Sequence, residues 1–236
     1  MALFDKFAKN YDDGHKNTVS LSGFTTDYFY EYKVKEMHRV LSKQKIDPPT
    51  SILDFGCGVG SIDPYIRKYF PDSEIYGIDI STESIKVAKE KQSEFDISYA
   101  VFDEEKGSPF GMSFDLVFVS CVFHHIPREY HKKTLSFLRS CMNPNAFLFV
   151  FEHNPYNPAA RIVFSKHDRP IDKDANMIYP GYLKRQMQRC NFEKVSLNFT
   201  VFFPKMLKAF MPLEKHLTCI PFGVQYYAMA KRDPTD

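Results

Sequence analysis

The stretch ILDFGCGVGS at 52–61 places three glycines at alternate positions directly after a short apolar run. The run SILDF at 51–55 predicts a buried strand, and residues 61–70 predict a helix with Ser61 as a candidate N-cap. A glycine turn between a strand and a helix lets a ligand approach the backbone closely. The stretch therefore predicts a ligand loop, and a tight turn without a ligand is the alternative.

Short apolar runs alternate with amphipathic stretches on both sides of this loop. Further strands are predicted at 74–79, 97–102, 114–120 and 146–152, and further helices at 26–45, 82–94, 128–141 and about 181–190. Strict alternation of this kind predicts right-handed crossovers and a parallel α/β sheet. Two last strands, at 194–203 and 223–231, predict an antiparallel pair that closes one edge.

Composition narrows the class of protein. The chain has 236 residues and no glycine- or serine-rich linker, which predicts a single domain. Its 31 basic and 29 acidic residues nearly balance, so no nucleic acid is expected as a partner. Five scattered cysteines, a polar N-terminus and the lack of a long apolar run lead us to expect a cytoplasmic protein without a spanning helix. No metal-ligand spacing is present, and no metal is expected.

Acidic residues end three successive predicted strands. Asp54 lies in the first, and Asp79 and Asp103 follow the second and third. Together they would repel a pyrophosphate, and no lysine or arginine within 52–66 offsets them. The dinucleotide fingerprint also requires glycine where Ser61 stands. Although each aspartate alone is common in turns, the set favours a ligand with a ribose and a cationic centre, as in S-adenosylmethionine.

The chain resembles the class I S-adenosylmethionine-dependent methyltransferases, in their small-molecule branch. The resemblance covers about 5–155 and rests on FAKNYD (7–12), ILDFGCGVG (52–60), YGIDIS (76–81) and FDLVFVSCVFHHI (114–126), followed by LRSCMNPNAFLFVFEH (138–153). It implies a Rossmann-like, seven-stranded, mostly parallel sheet with helices on both faces and a C-terminal antiparallel edge hairpin. It also implies S-adenosylmethionine as cofactor, with S-adenosylhomocysteine as product.

The resemblance assigns one group of residues to the methionine portion of that cofactor. Asp54 would help to hold the amino group, and Ser120 would bring backbone atoms nearby. The loop residues that would contact this portion are Gly56, Cys57, Gly58 and Gly60.

A second group would hold the nucleoside. Asp79 would bind the ribose hydroxyls, and Ile80 would pack on the adenine. Asp103 would face the adenine amino group, with Phe102 beside the ring. Tyr11 would cover the cofactor as part of an N-terminal lid.

His124 and His125 are the candidate catalytic residues, because they follow the fourth predicted strand and histidine titrates near neutral pH. The alternative is that the pair packs beneath the cofactor. Glu152 and Asn154, after the fifth strand, are candidate acceptor-binding residues, as is Arg161 in a stretch with several basic residues. Turn and surface roles are the alternatives for these three.

The resemblance divides the domain 1–236 into three parts. Residues 1–48 would form a helical lid, 49–154 the cofactor half, and 155–236 the acceptor side with an apolar insertion at 202–222. The tail weakly resembles methyltransferases of surface-polysaccharide and lipid-linked sugar assembly. The small-molecule acceptor could thus be hydrophobic, sugar-containing or lipid-linked, and a peripheral membrane contact is a further interpretation.

Two other functions compete with methyl transfer. One is a non-catalytic module that only binds S-adenosylmethionine, which the intact loop and Asp79 argue against. The other is a nicotinamide-dependent oxidoreductase, which would require the missing third glycine and a hydride-site pair. The sequence contains no general code for the acceptor.

Overall fold

A computed structural model describes residue 5, residues 22–165 and residues 175–233. Their strands form one seven-stranded sheet in the order β3-β2-β1-β4-β5-β7-β6. The strands are β1 Ser51–Phe55, β2 Glu74–Asp79, β3 Ile97–Val101, β4 Phe114–Ser120, β5 Met142–His153, β6 Phe192–Thr200 and β7 Gln225–Arg232. β1 to β5 pair in parallel, and β7 is antiparallel to both of its neighbours. The predicted fold class is confirmed.

Helices connect the strands. The α-helices are α1 Thr26–Lys43, α2 Asp63–Tyr69, α3 Thr82–Lys91, α4 His131–Ser140, α5 Pro158–Ser165, α6 Pro180–Arg189 and the single turn α7 Glu214–Leu217. Short 3₁₀ segments span Phe123–His125, Arg128–Tyr130 and Lys205–Leu213. The N-cap predicted at Ser61 is wrong: α2 begins after Ile62, without a side-chain cap, and has proline in its first turn.

The two faces of the sheet carry separate apolar cores, as the period of two along a strand requires. Leu53 and Val117 pack in one core, while their neighbours Ile52 and Leu116 pack in the other. All five residues of β1 are buried. Burial on both faces explains why these central strands read as almost continuous apolar runs.

The sheet order reverses next to β1, which lies between β2 on one side and β4 on the other. In open parallel sheets, ligands bind in the crevice at the carboxyl ends of the strands at such a point. The loop 56–61, which follows β1, lies there.

No helix within the described part of the chain is long and apolar enough to cross a membrane.

The buried carboxylate of Glu214 ties the two halves of the insertion between β6 and β7 to each other and to α1. Glu214 accepts hydrogen bonds from the backbone N–H groups of Phe202 (2.8 Å) and Phe203 (3.1 Å). It also accepts one from the Tyr32 hydroxyl of α1, at 2.8 Å. The predicted apolar insertion is therefore an ordered element, a 3₁₀ segment followed by α7.

Gly223 allows the chain to return from this insertion into β7. A Cβ atom at this position would lie 2.6 Å from the backbone nitrogen of Thr200, and even closer to its carbonyl oxygen. We expect Gly223→Ala to lower the free energy of unfolding by roughly 1–3 kcal/mol, as overpacking does. Gly181→Ala, in the first turn of α6, is the control, since the nearest atom to its Cβ would be a guanidinium nitrogen of Arg185, 3.7 Å away. Equal stability of the two variants in urea unfolding would contradict this account.

Candidate functional site

The three glycines of the loop after β1 adopt a backbone conformation that other residues rarely adopt. Their φ angles are 75° at Gly56, 55° at Gly58 and 70° at Gly60. A Cβ atom at Gly56 would lie 2.5 Å from a methyl group of Val122, and one at Gly60 would lie 2.6 Å from the hydroxyl of Tyr99. The glycines are therefore required by the protein's own backbone and packing, in addition to any ligand.

Asp79 ties this loop to the end of β2. Its two carboxylate oxygens accept hydrogen bonds from the backbone N–H groups of Gly58 (2.9 Å) and Ser81 (2.8 Å). Burial raises the pKa of this carboxyl group. Each oxygen of a carboxylate can accept more than one hydrogen bond, so Asp79 retains capacity for a ribose diol.

A buried pair of acids lies beneath the loop. Asp54 and Asp63 are almost inaccessible to solvent, and the Tyr99 hydroxyl donates to Asp63 Oδ2 at 2.6 Å. Burial, followed by the nearby Asp63 carboxyl group, raises the pKa of Asp54 well above its ordinary value. Asp54 therefore gives up its proton less readily than an exposed aspartate does.

This geometry bears on the role predicted for Asp54. Its carboxyl group is 1% exposed and lies near that of Asp63, below the loop and away from solvent. Its contact with the amino group of the cofactor stays a prediction. Asp63 was missed, because an acid in the first turn of a helix usually has only a capping or dipole role.

Lys33 was also missed, although it is the cation at this acidic site. It is buried on α1, and its ammonium donates to Ser120 Oγ at 2.7 Å and to Cys121 Sγ at 3.6 Å. Its charge acts to lower the pKa of Asp54, against the effect of burial. One signal was available: Lys33 lies four residues from Phe29 and from Met37, on the buried stripe of α1.

The predicted nucleoside contacts lie at the ends of β2 and β3. Ile80 is 38% exposed and available for packing. Phe102 is buried, with its ring 5.4 Å from that of Phe55, so it belongs mainly to the core. The Asp103 carboxylate pairs with Lys106 at 3.1 Å, which lowers its pKa, and adenine would have to compete with that lysine.

Of two further residues predicted to contact the cofactor, the structure describes one. Cys57 is buried with Ile85 and Ala88, and burial raises the pKa of its thiol, so it packs as a small apolar side chain. Tyr11 lies outside the described residues.

The structure joins two residues that we had assigned to different roles. His124 Nδ1 lies 2.6 Å from Glu152 Oε2, and both side chains are almost completely buried. They meet because the 3₁₀ turn after β4 faces the end of the adjacent strand β5. Burial raises the pKa of Glu152, and the ring of His125 lies 4.1 Å from that of His124. A buried histidine–carboxylate pair can take up a proton and stabilise the resulting imidazolium.

The acceptor contact predicted for Asn154 is wrong. Its side chain is fully buried, and its amide nitrogen donates to the carbonyl oxygens of Pro221 (3.1 Å) and Gly223 (2.7 Å). Its amide oxygen accepts from the backbone of Tyr156 at 3.0 Å. Asn154 therefore anchors the end of the insertion. Arg161 is exposed on α5, and the basic residues that follow it at 166–169 lie outside the described residues.

Comparison with known proteins agrees with this geometry. Residues 53–148 match the family model described as a methyltransferase domain. The chain is 29% identical over 113 residues to a malonyl-[acyl-carrier protein] O-methyltransferase of Halalkalibacterium halodurans, covering 46% of this chain and 41% of that protein. It is 25% identical over 127 residues to a trans-aconitate 2-methyltransferase of Rhodopseudomonas palustris, covering 52% and 46%. The matched region thus spans less than half the length of these two relatives.

Solved structures share the fold at low sequence identity. A S-adenosylmethionine-dependent methyltransferase from Archaeoglobus fulgidus aligns with a TM-score of 0.60 and 19% identity, covering 86% of this chain and 98% of that one. Magnesium protoporphyrin IX methyltransferase from Synechocystis, solved with bound S-adenosylhomocysteine, aligns with a TM-score of 0.63 and 18% identity, covering 97% of each. Together with the sequence match at 53–148, the strand order and the glycine loop, these structures support a class I S-adenosylmethionine-dependent methyltransferase domain in this chain.

Proposed function

We propose that this protein transfers a methyl group from S-adenosylmethionine to a small molecule whose accepting atom carries a proton. The observation that carries the proposal is Asp79, which fastens the glycine loop to β2 where the sheet order reverses. A loop held in this way is set up for a ligand that bears a ribose. When bound, the cofactor supplies an activated methyl group, and the protein supplies alignment and a site shielded from water.

The residues at the site fit this cofactor. The Asp79 carboxylate would accept hydrogen bonds from both ribose hydroxyls, and exposed Ile80 would pack on the adenine. The buried acids below the loop make the site unfavourable for a pyrophosphate, and a dinucleotide loop would have glycine instead of Ser61. These features argue against a nicotinamide-dependent oxidoreductase.

We assign Lys33 to the carboxylate of the cofactor's methionine portion. Its ammonium lies against Ser120, the residue that the family resemblance places beside that portion. A buried ammonium needs a counter-charge, and the raised pKa of Asp54 makes that residue a weak source of one. An incoming carboxylate would complete the pair, while Asp63 remains with Tyr99.

On the acceptor side, we propose His124 as the general base and Glu152 as the residue that orients it. With Glu152 ionised and accepting from Nδ1–H, Nε2 would be the basic nitrogen of the ring. A base of this kind serves a hydroxyl or an amine, from which a proton must be removed during attack. It distinguishes the protein from a non-catalytic module, which needs no such pair.

A carboxylate acceptor is the second candidate, and the relatives named for malonyl-acyl carrier protein and trans-aconitate favour it. A carboxylate reacts without losing a proton, so His124 and Glu152 would then serve only to bind and pack. Turnover by His124 variants therefore separates the two acceptor classes.

We expect S-adenosylhomocysteine, and not NAD, to bind, and Asp79→Ala to weaken that binding by roughly 1–3 kcal/mol, because buried polar partners are left unpaired. Asp72→Asn, an exposed aspartate in the turn before β2, is the control. Isothermal titration calorimetry measures both. Tight binding of NAD, or unchanged affinity in Asp79→Ala, would contradict the proposed pocket.

Lys33→Met should weaken S-adenosylhomocysteine binding by roughly tenfold to a hundredfold, as expected for a lost charged hydrogen bond. It should leave 5′-methylthioadenosine, which lacks the carboxylate, almost unaffected. Lys35→Met is the matched control, since Lys35 is exposed on the same helix. An equal loss for both ligands would show that Lys33 has a purely structural role.

His124→Gln should lower turnover roughly a hundredfold to ten-thousandfold with little change in cofactor affinity, as expected for a lost base.

Since burial raises the pKa of Glu152, its carboxylate is neutralised, and activity lost, at a higher pH than for an exposed glutamate. Glu152→Gln should reduce the plateau rate and move the acid limb of the pH–rate profile downwards, because the imidazolium loses its counter-charge. Full activity in His124→Gln and His125→Gln would exclude a base and favour the carboxylate acceptor.

A further inference from the structure

The insertion 202–222 concentrates the exposed apolar surface of the described residues. Twelve large apolar side chains are exposed among the residues that the structure describes, and half of them lie within this short segment. They are Met206 (89% exposed), Leu207 (40%), Phe210 (50%), Leu213 (50%), Ile220 (38%) and Phe222 (65%). A cluster of this kind, as opposed to scattered single residues, marks a binding surface.

This exposure is not the result of a loosely attached segment. Glu214 is 5% exposed; it accepts from Phe202 and Phe203 within the segment and from Tyr32 of α1. The segment is joined to β6 by the backbone N–H of Phe199, which donates to the carbonyl oxygen of Thr218 at 2.7 Å. At the other end, Asn154 binds the carbonyl oxygens of Pro221 and Gly223, and Asn157 binds that of Phe222 at 2.5 Å. The protein therefore holds the apolar side chains outwards on a fixed support.

The exposed charged side chains of this surface are all positively charged. Glu214 is the only acidic residue of 202–222, and it is turned inwards. Lys205, Lys208 and Lys215 are exposed. Lys205 and Lys208 lie on either side of a kink at Leu207, in the same short segment as the exposed side chains of Met206 and Phe210.

We propose that the surface formed by residues 204–222 binds the face of an anionic lipid bilayer. Apolar side chains would enter the boundary between headgroups and acyl chains, and the lysines would pair with lipid phosphates. A second copy of the chain fits the surface less well, since a two-fold interface brings each patch against itself and lysine against lysine. The inference does not depend on the proposed function.

The position of this surface determines where a bound membrane would lie relative to the candidate site. Asn154, which anchors the end of the insertion, follows Glu152 by two residues in the chain. Binding to a bilayer would therefore place the acceptor end of the sheet near the membrane. An acceptor that partitions into lipid would be presented there without passing through water.

Co-sedimentation with vesicles tests the proposal. The full chain should bind vesicles of phosphatidylglycerol and phosphatidylcholine, and bind pure phosphatidylcholine at least about tenfold more weakly, since each lysine near an anionic surface contributes roughly fivefold. The double substitution Met206→Ser/Phe210→Ser should lower partition at least about tenfold. The triple substitution Lys205→Gln/Lys208→Gln/Lys215→Gln should abolish the preference for the anionic lipid.

The chain offers a matched control for each variant. Lys86→Gln/Lys89→Gln/Lys91→Gln removes the same charge from exposed positions on α3, and Tyr130→Ser removes an exposed ring elsewhere. Both controls should bind vesicles normally. Affinity for S-adenosylhomocysteine, measured in parallel, should be unchanged in Met206→Ser/Phe210→Ser, which shows that this variant is folded and keeps the result separate from the proposed reaction.

Three results would overturn the proposal. The first is an absence of vesicle binding by the unaltered chain. The second is an equal loss of binding in the controls. The third is a dimer in analytical ultracentrifugation that Met206→Ser/Phe210→Ser dissociates, which would assign the surface to a second copy.

Discussion

The arrangement of this site depends on the burial of negative charge beneath one backbone loop. Asp54 and Asp63 are almost inaccessible to solvent, and Asp79 is partly buried beside them. An unpaired buried carboxylate is costly, so the surroundings must supply protons and donors. The raised pKa of Asp54 favours its neutral form, Asp63 accepts from Tyr99, and Asp79 accepts from two backbone N–H groups. Asp79, through Gly58, helps to hold the loop in its left-handed conformation.

The same constraint explains contacts that reach across the fold. Tyr99 occupies the space beside Gly60, so glycine at that position and tyrosine on β3 depend on each other. Lys33 brings α1 against the end of β4, where its ammonium compensates part of the buried acidity. The N-terminal helix in this way contributes a buried side chain to the candidate site. A cofactor carboxylate would complete a charge balance that the protein leaves open.

The fold could be predicted almost completely from the chain, since periodicity is a local signal. The predicted strands SILDF and EIYGID begin and end at the same residues as β1 and β2. The apolar strands of a sheet covered on both faces are easily recognised. The site could be predicted only where its residues follow strands, as Asp79 does. Lys33 and Asp63 lie on helices, and their roles come from neighbours distant in sequence. Asn154 was misassigned because a residue after a strand serves equally well as an anchor for the insertion.

The pairing of His124 with Glu152 shows why the position of His124 in the sequence could not distinguish a catalytic base from a packing residue. Histidine after β4 suits either role, and only the contact with the carboxyl group from β5 ties the ring to a partner that can orient it. Glu152 has one buried oxygen on that ring and a second, Oε1, without a hydrogen-bond partner among the described residues. Such an oxygen is expensive to bury unless another donor approaches it. A ligand hydroxyl that reached Oε1 would satisfy this oxygen, whereas a carboxylate, which has no proton to donate, would not.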